Sequence, residues 1–311
     1  MPFSSRTLDS YIDPKLNKLG SGISYGVGAY AIWGLLPIYW RALSRASAYE
    51  ILAHRAIWSL FACYLFLTFQ KQLKEAFALI KNRRSFSLLA LTSLLLSINW
   101  GIYIWAVSVD RVVEAALGYY ITPLVAVTFG VFVLKEHLRR LQVVSVALAT
   151  IGVVVLTVAY GHLPLVAIGL AVSWGSYSLI KKQLNAGALQ ALSVETLVAF
   201  IPNFAYLTYL MNQNKAEFGQ DLTFSLALFS AGVFTVIPLL MFNAATTRLP
   251  LTITGLLQYI TPTIMFLVGI IVFHEELQLS KLIGFLFIWG ALAFLGTDMI
   301  KSGRSTNQSG N

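Results

Sequence analysis

Ionisable residues are scarce in the apolar stretches of this chain, so each one that interrupts such a stretch is a candidate for chemistry. Glu114 follows Asp110 and Arg111 and leads at helical spacing to Leu117, Gly118 and Ile121. It could bind a solute amine or carry a proton, or it could be a helix N-terminal acid that complements the dipole. His54 and Glu195 hold matching positions in the two halves of the chain, each near the start of a helix. Both are side chains that could gate a path or exchange a proton. The alternative is local structure, because Glu50 and His54 are i,i+4 neighbours, whereas Glu195 lacks an evident local partner. Arg55, one turn into its helix, suits a carboxylate or phosphate on a solute, or it tethers an acid or backbone carbonyls.

A second group is apolar with a few amides. Pro123 and Pro262 fall inside predicted helices, where proline removes a hydrogen bond and frees a carbonyl. They read as hinges or as plain kinks whose carbonyls Thr122 and Thr261 re-satisfy. Tyr120 and Tyr259 flank them, and Tyr119 and Gln258 hold the matching position just before. An amide in lipid is costly unless it faces the interior, so Gln258 is either a solute contact or an interhelical hydrogen bond. Trp33 and Trp174 are each followed by Gly, and Asn99, Trp100, Tyr103 and Trp105 crowd one stretch. Aromatic walls with one or two amides suit a planar or amphipathic solute, and core packing is the competing explanation. HExxH, P-loop, GxSxG and Cys/His cluster patterns are absent. The expectation is therefore no catalytic residue, no metal and no cofactor, with any transport driven by a gradient, exchange or facilitation rather than by ATP.

The elements that must position these residues follow from composition. In 311 residues, 57% are hydrophobic and 11% charged, and the mean hydropathy is +0.73. A soluble domain is nearer about 45–50% apolar and about 25% charged, so soluble enzymes, nucleic-acid binders and disordered scaffolds are excluded. The net charge of +9 lies in loops and tails, where it sets topology. Cys63 is the single cysteine and forms no internal disulfide. Arg6, Asp9, Asp13, Lys15 and Lys18 precede the first apolar run without an h-region, which predicts a polar tail rather than a cleaved signal peptide.

Apolar windows predict ten helices, at 21–40, 49–69, 86–108, 113–134, 141–160, 163–180, 192–211, 223–246, 250–273 and 281–300. With the N-terminus in the cytoplasm, most of the 22 Lys and Arg lie inside, and Arg41, Arg45, Arg55, Arg111, Lys215 and Lys281 remain outside. Both termini are then cytoplasmic. The chain also repeats itself. Leu117, Tyr120, Ile121, Thr122, Pro123, Gly130, Val133, Glu136 and Leu138 recur at constant offset as Leu256, Tyr259, Ile260, Thr261, Pro262, Gly269, Val272, Glu275 and Leu277. Gly28, Trp33 and Gly34 recur as Gly169, Trp174 and Gly175. Five helices per copy is an odd number, so the second copy enters the membrane inverted, the arrangement of secondary transporters with a midplane site.

His54 to Ser59 (HRAIWS), Asn99 to Val107 (NWGIYIWAV), Glu114 to Val125 (EAALGYYITPLV), Thr235 to Pro262 and Phe285 to Leu292 (FLFIWGAL) carry a family resemblance. Together they resemble RarD-type proteins of the EamA branch of the drug/metabolite transporter superfamily, over roughly Gly22 to Ile300. The chain departs from the expected pattern at Thr122, where the resemblance implies Asn, a difference that bears on solute preference. The resemblance implies an all-α polytopic inner-membrane protein of ten helices. Two inverted five-helix EamA repeats, residues 21–160 and 161–300, would lie between cytoplasmic tails 1–20 and 301–311. It also implies a central cavity and export of a small organic metabolite or drug. The expected partners are that solute and the lipid bilayer, with no nucleic acid and with homodimer formation left open. An intramembrane lipid-modifying enzyme and a non-transporting membrane sensor are the rival readings.

Overall fold

In lipid a backbone satisfies its polar groups only within helices or closed barrels, and every regular element among the described residues is a helix. The computed structural model describes the backbone of residues 14–108, 112–161, 163–184, 186–274 and 279–308. Side chains are described from 19 to 301 apart from 104, 107–116, 159–160, 162, 185 and 275–281. The helices are α1 (Pro14–Ala42), α2 (Ala48–Phe69), α3 (Leu73–Lys81), α4 (Arg83–Ser108), α5 (Val112–Phe132) and α6 (Arg140–Tyr160). They continue with α7 (Leu165–Gln183), α8 (Ala188–Asn212), α9 (Leu222–Arg248), α10 (Leu251–Leu257), α11 (Ile260–Ile271) and α12 (Leu279–Gln308).

Among the described residues, 7 helices are long and apolar enough to cross a membrane, with Leu251–Ile271 counted as one. Leu117–Phe132 is apolar but shorter. The outer surface is apolar as well: Phe69 is 76% exposed and Val158 and Ile201 are each 73% exposed. Apolar patches on that scale are unusual against water and ordinary against acyl chains. The chain is therefore a multi-pass membrane protein.

Three elements differ from the sequence expectation. α1 begins at Pro14, inside the segment read as a tail, and α12 continues to Gln308. α3 occupies a segment read as a connection. It buries Ala76, while the Gln190 amide of α8 donates to Glu75 Oε2 at 2.6 Å and to Gln72 Oε1 at 2.9 Å. The largest difference is at the two prolines. α5 runs unbroken through Pro123, whereas the corresponding span stops at Leu257 and restarts at Ile260. Pro262 has no N–H, and its ring crowds the carbonyl four residues earlier, that of Gln258. The chain tightens there into three-residue steps: Gln258 N donates to Gly255 O at 3.1 Å, Tyr259 N to Leu256 O at 3.2 Å and Thr261 N to Gln258 O at 3.1 Å. The two threonines also diverge. Thr122 Oγ1 donates to Gly118 O of its own helix at 2.6 Å, and Thr261 Oγ1 crosses to Tyr30 O of α1 at 2.9 Å.

The two halves interleave rather than standing side by side. α1 packs on α9 and α11, α7 packs on α4 and α5, and α2, α5 and α6 meet α8, α10 and α12 respectively. One buried cluster runs through this seam, from Ala29 and Tyr30 through Tyr177 and Phe242 to Leu256, Tyr259 and Ile288. α10 depends on the other half at its start. Its N-cap, Pro250, offers no side-chain acceptor, and Glu136, beyond α5, supplies one. Glu136 Oε1 accepts from Leu251 N at 2.7 Å and Oε2 from Thr252 N at 2.9 Å. Glu136→Ala removes both acceptors and a charge matched to the helix dipole, so a loss of about 1–2 kcal/mol is expected. Thermal unfolding of the purified protein measures it, and an unchanged midpoint would show that the carboxylate is dispensable.

Candidate functional site

A cavity of about 380 Å³ opens where the two halves meet, within the size range of small-molecule sites. α1 contributes Trp33, Pro37 and Trp40, α2 contributes Arg55, and α4 contributes Asn99, Trp100 and Tyr103. Gly118, Tyr119 and Thr122 come from α5, Trp174 from α7, and Gln258, Thr261 and Met265 from the broken α10–α11 span. The periodicity explains the set: Trp33, Pro37 and Trp40 succeed one another at one-turn steps along a single face of α1. Seven of the nine predicted binding residues are thereby brought together: Trp33, Asn99, Trp100, Tyr103, Tyr119, Trp174 and Gln258.

The floor is aromatic. Trp33 and Trp174 meet edge to face at 5.3 Å between ring centroids, and Phe242 lies 5.4 Å from Trp174 and 5.7 Å from Trp33. The Trp174 indole N–H is buried there with no acceptor among the described residues. Polar groups are few. Asn99 Nδ2 is engaged, donating to Leu170 O and Ser173 Oγ at 2.9 Å each. The Gln258 side chain has no hydrogen bond among the described residues, and its amide borders the cavity.

Arg55 supplies the charge. Its Nε donates to Thr235 Oγ1 at 3.0 Å, and that hydroxyl donates onward to Ala231 O at 2.7 Å. The guanidinium carbon lies 4.3 Å from the Trp100 ring centroid and 4.8 Å from that of Trp40. Cation–π contact at those distances holds the fork in place without neutralising it. Among the described residues no carboxylate pairs with Arg55.

The other predicted residues lie elsewhere. Tyr120 and Tyr259 were expected beside the solute. Successive residues on a helix point about 100° apart, and on α5 it is Tyr119, with Gly118 and Thr122, that lines the cavity. Tyr259 is fully buried and its hydroxyl donates to Tyr120 O at 3.1 Å, while the Tyr120 ring packs on Phe285 at 5.4 Å. Pro123 and Pro262 are buried and are not among the residues that line the cavity. His54 sits in an aromatic cluster away from the cavity: Trp58 Nε1 donates to His54 Nδ1 at 3.0 Å, and the Phe218 ring is 4.6 Å away. Its Nε2 is 3.9 Å from Glu50, whose Oε1 also accepts from Glu217 N and Phe218 N at 2.8 and 3.1 Å. The Glu114 side chain lies outside the described residues.

Glu195, expected to lack a local partner, has two. Lys181 Nζ donates to its Oε1 at 3.1 Å and Thr92 Oγ1 to the same oxygen at 2.6 Å. The Lys181 and Glu195 side chains are 3% and 2% exposed. Lys181 escaped the sequence reading because it stands in a Lys–Lys pair at a helix end, where lysines usually point to water. Trp40 was missed too, although its seven-residue spacing from Trp33 was a usable signal. Among the described residues no three His, Cys, Asp or Glu side chains gather as metal ligands.

Comparison with known proteins adds to this geometry. The EamA-like transporter family matches residues 20–158 and again 163–297. The chain is similar to Protein RarD of Streptomyces exfoliatus, 42% identical over 289 residues, covering 93% of this chain and 92% of that one. It is also similar to the uncharacterized transporter YojE of Bacillus subtilis, 42% identical over 289 residues, covering 92% and 96% respectively. A solved structure aligns with a TM-score of 0.69 at 17% identity, covering 88% of this chain and 97% of its own, a likeness of fold.

Proposed function

The chain belongs to the EamA-like transporter family as a RarD-type membrane transporter, and from that premise we propose that it moves a small organic solute by alternating access through the cavity between its halves, with export as the direction. The observation that carries this reading is the cavity itself. It is built jointly by α1, α2, α4 and α5 and by α7, α9, α11 and Gln258 at the break before α11, so relative movement of the two halves exposes it to one side or the other.

Counting α10 and α11 as one span and α3 as none, the chain has ten spans in two inverted repeats. Interchanging the halves preserves the packing, which supports that reading. The first span packs on the eighth and ninth, and the sixth on the third and fourth; second and seventh, fourth and ninth, and fifth and tenth pair with each other. Lys135 and His274, equivalent in the repeat, also share left-handed backbone with φ of 58° and 54°. With both termini in the cytoplasm of a bacterial-type cell, Trp40, Arg55, Tyr103 and Tyr119 stand toward the outer ends of their helices. The aromatic floor then separates the cavity from the cytoplasm.

The test compares small metabolites inside cells and in their medium, with the intact chain, without it, and with Gln258→Ala. A solute that accumulates outside only with the intact chain supports export, and Gln258→Ala is expected to lower the rate about tenfold, the worth of one polar contact. Depletion from the medium would reverse the direction. No chain-dependent flux of any solute, in cells or in purified proteoliposomes, would sink the transport reading.

A further inference from the structure

Resting on that transport reading, we propose that the solute is an organic monocarboxylate, its carboxylate held by Arg55 and its flat apolar body laid between the Trp100 side of the cavity and the Trp33–Trp174 floor. Arginine keeps its charge in any protein setting, so a cavity that contains it carries a permanent positive charge. A charge within the membrane is costly and is normally paired. Here, among the described residues, the partners are one hydroxyl and two indole faces, and only Nε is occupied by a hydrogen bond. The terminal nitrogens remain as a fork of donors, the geometry that a carboxylate matches with two parallel bonds.

Charge counting narrows the class. Arg55 is the one ionised group among the described lining residues, so a solute with a single negative charge balances the charge that those residues carry. A phosphate monoester carries nearly two charges and would leave one unmatched away from water. An amine would meet the Arg55 guanidinium as a like charge. The walls argue for the rest of the molecule: aromatic faces surround the cavity, with the Gln258 amide on its border.

The charge of the solute also supplies the drive. Each cycle would move one negative charge outward, and an inside-negative potential favours that by about 50-fold at equilibrium for every ~100 mV. Export of a monocarboxylate then needs no coupling ion, so no buried proton carrier is required.

Matched pairs of aryl acids and their uncharged amides test this: phenylacetate with phenylacetamide, and indole-3-acetate with indole-3-acetamide. Phenethylamine and phenyl phosphate serve as the cationic and doubly charged arms. Binding to the purified protein is read by quenching of tryptophan fluorescence, since Trp33, Trp40, Trp100 and Trp174 line the cavity. Exit is read from loaded proteoliposomes with and without an inside-negative potassium diffusion potential, after subtraction of protein-free vesicles. The acids are expected to bind about 10- to 100-fold more tightly than their amides, the worth of a charged hydrogen-bonded pair. Arg55→Gln is expected to erase that preference, Arg55→Lys to restore part of it, and the potential to accelerate acid exit alone. The acid-to-amide comparison in the unaltered protein stands even where a variant fails to fold. Equal binding of acid and amide, tighter binding of the amine or the phosphate, or no acid binding at millimolar concentration would overturn the proposal. Acid-selective binding without exit would leave the anion site standing and remove the transport reading instead.

Discussion

Lys181→Met is expected to lower the unfolding free energy by about 3–5 kcal/mol, and adding Glu195→Leu to recover most of that loss. The asymmetry follows from burial. Lys181 and Glu195 are 3% and 2% exposed and face each other at 3.1 Å. Removing one partner leaves a full charge with no water to solvate it, whereas removing both leaves an apolar contact, with the Thr92 hydroxyl still donating to Leu89 O at 2.9 Å. Unfolding in denaturing detergent, followed for both single variants and the double, measures the cycle. A double variant as unstable as the singles would mean that the pair is not what holds α7 to α8 here. The double variant answers a second question as well. Unchanged flux with a restored fold marks the pair as scaffold, and lost flux marks it as a group that the transport cycle uses.

The second large effect is expected at Gly232. A Cβ there would lie 2.5 Å from the Trp58 carbonyl carbon and 2.8 Å from Ser59 N, both backbone atoms of α2 that cannot rotate away. Helices in lipid use such small residues to approach closely, and Ser59 Oγ donates to Gly232 O across the same contact at 3.3 Å. Gly232→Ala is expected to cost about 1–3 kcal/mol and Gly232→Val more, because the helices must separate. The same shift reaches the cavity. Arg55 and Thr235 lie one turn from Ser59 and Gly232 on the same seam, joined at 3.0 Å. Separation therefore frees the guanidinium as well as weakening the fold. Thermal unfolding measures the first effect, and the acid-to-amide binding ratio measures the second. A Gly232→Ala protein with an unchanged midpoint would show that the seam is looser than these distances require.

The membrane class and the aromatic lining were legible in the sequence because both are properties of residue type and local spacing. An apolar composition admits few solvents, and Trp33, Asn99, Trp100, Tyr103, Tyr119, Trp174 and Gln258 stand out as aromatics and amides in apolar runs. The Tyr-Ile-Thr-Pro repeat was legible for the same reason. It did not reveal that α5 passes through its proline unbroken while the equivalent span divides at Gln258. Repeated residues meet different neighbours: Thr122 bonds within its helix, and Thr261 bonds across to Tyr30.

Long-range pairing decided the rest. Lys181 meets Glu195 only because α7 lies against α8, and Glu136 caps α10 only because the α5–α6 connection reaches it from the other half. Side-chain direction separated Tyr119 in the cavity from Tyr120 in the core, and Gln258 from Tyr259. Arg55 shows both sides at once. Its sequence determined a fixed positive charge within an apolar helix. The tertiary structure decided that, among the described residues, this charge meets Trp40 of α1, Trp100 of α4 and the Thr235 hydroxyl of α9 at the edge of the cavity rather than an acid.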